Sequence, residues 1–195
     1  DVTGSQLDEG NSPNYFTYTL KANTLAANYN ITKSVGTLTV TPILTEIVIT
    51  ADSNTKVYDG SPLTDNGYTY TAGVLLDGDI LTAVVEGTVT NVETLATDNV
   101  VTSYVVNRGL VDVTDNYTFG ASINGKLTIT PRPVTLTSGS DSKPYDGTPL
   151  TRPDVTVSGD GFVTGEASDI IATGSVTDVG PAVTNTITFT PGAAF

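Results

Sequence analysis

The stretch NGKLTITPRPVTLT, Asn124 to Thr137, decides how this chain is read. Lys126 to Thr130 alternates polar and apolar residues, and so does Val134 to Thr137. Such a period of two suits strands with one buried face. Asn124-Gly125, between ASI and KLTIT, is a strong short hairpin signal and predicts a tight turn there. Pro131 and Pro133 stop one strand almost where the next begins, because proline fixes φ and removes a donor.

Working outward, the same language recurs. GTLTVTP (Gly36–Pro42) anticipates GKLTITP (Gly125–Pro131). KVYDGSPLT (Lys56–Thr64) returns as KPYDGTPLT (Lys143–Thr151). TGSQLDEG (Thr3–Gly10) matches TGSVTDVG (Thr173–Gly180), with the looser EGTVTNVE (Glu86–Glu93) between them. Asn28-Tyr29 and Asn116-Tyr117 each precede a G-x-L-T-x-T-P phrase. The phrases keep one order, which predicts a repeat. Residues 43–131 form one complete unit on this reading, 1–42 the C-terminal part of a preceding unit and 132–195 the N-terminal part of a third. Further strands are expected at Thr45–Thr50, Tyr68–Thr71, Ile80–Val85 and Val100–Val106. No segment of helical length shows a helical period. The expected fold class is all-β, an elongated tandem array of small domains. An Ig-like sandwich and a β-grasp-like unit both fit, and the weak helix signal leans toward the sandwich.

Composition narrows the chemistry. The 195 residues include no Cys, His, Met or Trp, so disulfides, His-ligated zinc and Ser-His or Cys-His nucleophiles are excluded. Eight basic against 21 acidic residues give a formal charge of −13, a poor match for nucleic acid or acidic membranes. No apolar run approaches the length of a membrane helix. Nothing marks a catalytic cleft, and no enzyme activity is expected.

In the Lys-x-Tyr-Asp-Gly-x-Pro box, Asp59-Gly60 and Asp146-Gly147 can turn the chain, and Pro62 and Pro149 hold the preceding residue extended. Tyr58, Tyr145, Leu63 and Leu150 are then expected to plug a domain end. Lys56 and Lys143 are read as solvated strand-edge lysines. The sharper alternative is an isopeptide crosslink from Lys56 to Asn116, assisted by Asp59, which needs a desolvated, neutral amine. Asp77-Gly78-Asp79 and the pair Asp112 and Asp115 offer oxygens to calcium, but their spacing matches neither an EF-hand nor a nonapeptide repeat, and no cofactor is expected.

Taken together, the Tyr-Asp-Gly box, the D-V-T-x-N-Y stretch at Asp112–Tyr117 and the closing G-x-L-T-x-T-P resemble the MBG/YDG-type repeats of bacterial surface proteins. The resemblance covers essentially the whole chain. It implies a segment of a tandem array in an exported adhesin-like protein, cell-wall anchored or secreted, acting as a stalk or adhesive segment outside a bacterial cell. Neighbouring repeats would be its partners, and the family supplies no ligand and no catalytic residues. A binding module for a host glycan or host protein is the other expectation, with Tyr15, Tyr18, Tyr68, Tyr70 and Tyr104 as contacts.

Overall fold

The structure is a computed structural model, and it describes residues 1–71 and 74–192. Strands follow the alternating runs. They are, in chain order, Gly10–Asn14 (β1), Gly36–Val40 (β2), Ile43–Ile47 (β3), Ile49–Ala51 (β4), Asn54–Val57 (β5), Tyr68–Tyr70 (β6), Asp79–Glu86 (β7), Thr97–Arg108 (β8) and Val111–Asp112 (β9). The chain continues with Tyr117–Phe119 (β10), Gly125–Thr130 (β11), Val134–Ser138 (β12), Leu150–Thr151 (β13), Val155–Gly159 (β14), Ala167–Ala172 (β15), Ser175–Val176 (β16) and Ile187–Pro191 (β17). The helical content among the described residues is two single 3₁₀ turns, Ala26–Asn28 and Thr114–Asn116. The class is therefore mainly β. No helix among them is long and apolar enough to cross a membrane.

The chain divides into two compact units. The first comprises Asp1–Asn54, Thr64–Gly87 and Asp98–Lys126, and the second Thr55–Leu63, Thr88–Thr97 and Leu127–Phe195. The stretch Ile43 to Pro131 contributes to both.

In the first unit β7, β8 and β9 form an antiparallel meander, β4 pairs antiparallel with β6, and β3 runs parallel to β10. Ile47, Ile49, Leu81, Val106, Val113 and Tyr117 close its core, with Tyr68 and Phe119 packed against them. The period-two pattern explains this. On β7, Asp79, Leu81 and Val85 point inward while Ile80, Thr82 and Glu86 face water. β1 and β2 form a separate antiparallel ribbon, with Asn14 opposite Gly36.

The second unit holds a smaller cluster of Leu63, Val89, Leu127 and Ile129, against which Tyr58 packs. β11 reads as expected, with Leu127 and Ile129 inward and Lys126 and Thr128 out. Full burial of Leu127, at 0% exposure, contributes about 2–3 kcal/mol. β12 pairs with β14, β13 with β16 and β15 with β17, all antiparallel.

One expectation fails. Asn124-Gly125 is no hairpin turn: Ile123 bridges in parallel to Thr50, and Gly125 already belongs to β11. Glycine is required there for a different reason. A Cβ on Gly125 would stand 2.0 Å from the Asp52 carbonyl oxygen, so only a bare Cα admits that backbone.

Candidate functional site

The Tyr-Asp-Gly box closes on itself. Gly60 takes φ +79° and Gly147 φ +75°, the left-handed conformation expected of the turn. Asp59 Oδ1 accepts from the Ser61 amide at 2.9 Å and its hydroxyl at 2.7 Å, and Lys56 Nζ donates to the same oxygen at 2.7 Å. Lys56 Nζ also reaches the Ser61 carbonyl at 2.7 Å and that of Pro62 at 3.3 Å. The second box repeats this: Asp146 Oδ1 accepts from Thr148 N, Thr148 Oγ1 and Lys143 Nζ, at 2.9, 2.8 and 2.8 Å. The lysine lies three residues before its aspartate, so it folds over the Asp-Gly turn and staples it. Lysine first, then the hydroxyl and amide of Ser61 or Thr148, hold Asp59 and Asp146 well below the usual carboxylate range.

These contacts correct the lysine reading. Lys56 and Lys143 are not free edge lysines but the closing donors of a turn. The alternative, a crosslink, needs a neutral amine against a carboxamide. Lys56 instead presents its donors to Asp59, Ser61 and Pro62. Asn116 donates to Asp8 Oδ1 at 2.7 Å and accepts from the Glu9 amide.

The two boxes differ in the burial of the residues read as a plug. Leu63 is buried and Tyr58 packs on its cluster, whereas Tyr145 is 64% exposed. What distinguishes Tyr58 is its surroundings. Its hydroxyl donates to Glu166, which raises its pKa above the ordinary tyrosine value. Arg132, between the two prolines, donates to Gly161 O and Asp160 O at 2.6 Å each and to Tyr58 O at 3.4 Å. A Cβ on Gly60 would sit 3.1 Å from Val163. Box and proline boundary thus both reach residues 160–166.

Two further arrangements escaped the sequence reading. The first is a polar hub in the first unit. Asp79, its side chain wholly buried, takes a two-pronged bond from Arg108 at 2.7 and 2.9 Å, and Tyr117 Oη at 2.6 Å. Tyr117 Oη in turn accepts the Leu76 amide at 3.0 Å. Arg108 first, then Tyr117, lower the Asp79 pKa, while burial and then Asp79 raise that of Tyr117. Asn116-Tyr117 is therefore a structural anchor. The calcium reading loses Asp79, whose oxygens are committed to Arg108 and Tyr117. It also loses Asp112, whose Oδ1 caps Thr114 N and Oγ1. No acidic cluster among the described residues is arranged to hold a metal ion.

The second arrangement is a carboxamide clamp. Asn99, 0% exposed, donates through Nδ2 to the carbonyls of Asp52 and Asp65, both at 2.9 Å. Asn185 does the same to Gly139 O at 2.9 Å and Arg152 O at 2.8 Å. Each clamp faces the glycine of a G-[ST]-V-T phrase. A Cβ on Gly87 would lie 2.7 Å from Asn99 Oδ1, and one on Gly174 2.8 Å from Asn185 Oδ1. Asn14 faces Gly4 at 2.7 Å in the same way, yet its carboxamide holds no carbonyl among the described residues.

The titration profile follows from these partners. The lowered carboxylates Asp59, Asp79, Asp112 and Asp146 stabilise the fold fully above their unfolded pKa near about 4, and that contribution disappears as pH falls through their folded values. The raised tyrosines Tyr58 and Tyr117 act oppositely. Their contribution is complete below about pH 10 and is lost as pH rises through their folded values. Without histidine, the denaturation midpoint should be flat from about pH 5 to 9 and fall at both ends. A step near neutrality in urea titrations at graded pH would contradict this assignment.

Comparisons with protein-family models, curated proteins and solved structures return no match to this chain.

Proposed function

We propose that the chain is a stalk or spacer segment of an extracellular bacterial surface adhesin, a tandem array of small sandwich-like β units that projects an adhesive region from the cell. The observation that supports it best is the joint at the first box. Tyr58, Gly60 and Arg132 engage residues 160–166, which lie between the phrases Lys143–Thr151 and Thr173–Gly180. At the first box the repeated residues Tyr58 and Gly60 thus serve to brace the chain. Prolines at 131 and 133 add stiffness by fixing φ. The likeness of the phrases to MBG/YDG-type repeats points the same way, and no catalytic role is assigned to any residue. Small-angle scattering of the full chain tests the reading. An elongated particle is expected, with greater flexibility in Arg132→Ala; a compact wild-type particle would sink it.

A second reading, a binding module for a host glycan or host protein, is favoured by one feature. Tyr104, 40% exposed, stacks on Phe119 with ring centroids 4.2 Å apart, forming an aromatic surface. Tyr15, Tyr18 and Tyr70 are exposed as well, whereas Tyr68 is half-buried and donates its hydroxyl to Leu81 O. A glycan and host-protein screen separates the readings, since a hit abolished by Tyr104→Ala would establish the second.

A further inference from the structure

The chain contains four Asp-Gly dipeptides, at Asp59, Asp77, Asp146 and Asp160. This dipeptide is chemically fragile. The glycine nitrogen attacks the protonated aspartyl carboxyl carbon, a carboxyl oxygen leaves as water, and a succinimide ring closes. Water then reopens the ring. Cleavage at the main-chain carbonyl gives isoaspartate, unchanged in mass but longer by a methylene in the backbone. Glycine favours the attack because no side chain crowds its nitrogen. Burial does not protect the repeated box, since the side chains of Asp59 and Asp146 are 47% and 55% exposed. Their carboxylates are nevertheless immobilised. In each box Oδ1 takes three donors: the lysine amine, and the amide and hydroxyl of Ser61 or Thr148. At Asp160 the main chain itself is held, its amide by Pro133 O and its carbonyl by Arg132. Asp77-Gly78 has neither device. Gly78 stands in an open turn at φ +87°, and the Asp77 carboxylate has no hydrogen-bond partner among the described residues.

We propose that the lysine of the box is a chemical shield that keeps its Asp-Gly bond from rearranging to isoaspartate, and that Asp77 is the position modified instead. Two effects act together. Ring closure turns the carboxyl carbon onto the Gly60 nitrogen, and the bonds from Lys56 and Ser61 must break before it can turn. Only a neutral carboxyl releases its oxygen as water, and Lys56, then Ser61, keep Asp59 ionised. Lys143, then Thr148, do the same for Asp146. What the shield preserves at the first box is the seat of Tyr58. An extra methylene after Asp59 would displace the turn between Tyr58, with its bond to Glu166, and Leu63, on whose cluster the Tyr58 ring packs. At Asp77 the same methylene would open the turn in which Asp79 N donates to Leu76 O at 3.1 Å, and draw Asp79 off Arg108 and Tyr117. The proposal does not rest on the stalk reading.

Peptide mapping that separates isoaspartyl from aspartyl peptides, on the full chain aged in mildly acidic buffer, tests it. Isoaspartate is expected at Asp77, and at Asp59 and Asp146 at least about tenfold more slowly, as a scarcer neutral carboxyl requires. In urea, where no turn survives, the three positions react at one rate. Lys56→Gln raises the rate at Asp59 and leaves Asp146 as it was, and Lys143→Gln does the reverse. A merely loosened fold would raise all three together, so this selectivity separates shielding from general stability. Equal rates at Asp59 and Asp77 in the folded, unaltered chain overturn the proposal, whether or not either variant folds. A folded Lys56→Gln chain whose Asp59 reacts no faster overturns it as well.

Discussion

Asn99→Ala is expected to destabilise the first unit by about 2–3 kcal/mol, the loss of two main-chain hydrogen bonds from a fully buried donor. Asp52 and Asp65 flank the Lys-x-Tyr-Asp-Gly segment on either side, and Asn99 ties their carbonyls to β8. Removing the carboxamide frees both anchor points and leaves a cavity beside Gly87. The proper control is internal. Asn14→Ala, whose carboxamide holds no carbonyl, should change stability by no more than a few tenths of a kcal/mol. Asn185→Ala removes the same pair of bonds from a half-buried site and should fall between the two. Urea denaturation of the three variants measures the order. Equal effects at Asn99 and Asn14 would remove the clamp from the account of stability.

The strands were legible in the sequence because alternation is a local signal: Lys126–Thr130 and Val134–Thr137 needed nothing beyond their own residues. The Asp-Gly turns were legible for the same reason. Lys56 was not, because a long side chain can extend into water or fold back three residues, and composition cannot choose between them. The Asp79–Arg108–Tyr117 hub joins residues 29 and 38 positions apart, and no local pattern encodes such a meeting. The clamp left a fainter trace. Gly4, Gly87 and Gly174 were visible as markers of a repeated phrase. The asparagines each of them faces, at 14, 99 and 185, follow after 10, 12 and 11 residues. Uneven spacing of that kind hides a contact from any fixed-offset reading. Asn124-Gly125 was misread because glycine serves two ends, positive φ and close approach, and the dipeptide alone signals only the first.

The two glycines of the G-x-L-T-x-T phrases give the sharper contrast. Gly125→Ala places a Cβ 2.0 Å from Asp52 O, 2.6 Å from Asp52 C and 2.7 Å from Ala51 O, all main-chain atoms. No flexible side chain can swing aside there, so β11 or the Ala51-Asp52 backbone must move, at an expected loss of about 3 kcal/mol. Gly36→Ala, at the same point of the pattern, meets open space and has no positive φ to strain. It should be neutral or stabilise by about 0.5 kcal/mol, through a less flexible unfolded chain. Thermal and urea unfolding of the pair would show whether the phrase's glycine is demanded by its own strand or by what lies against it.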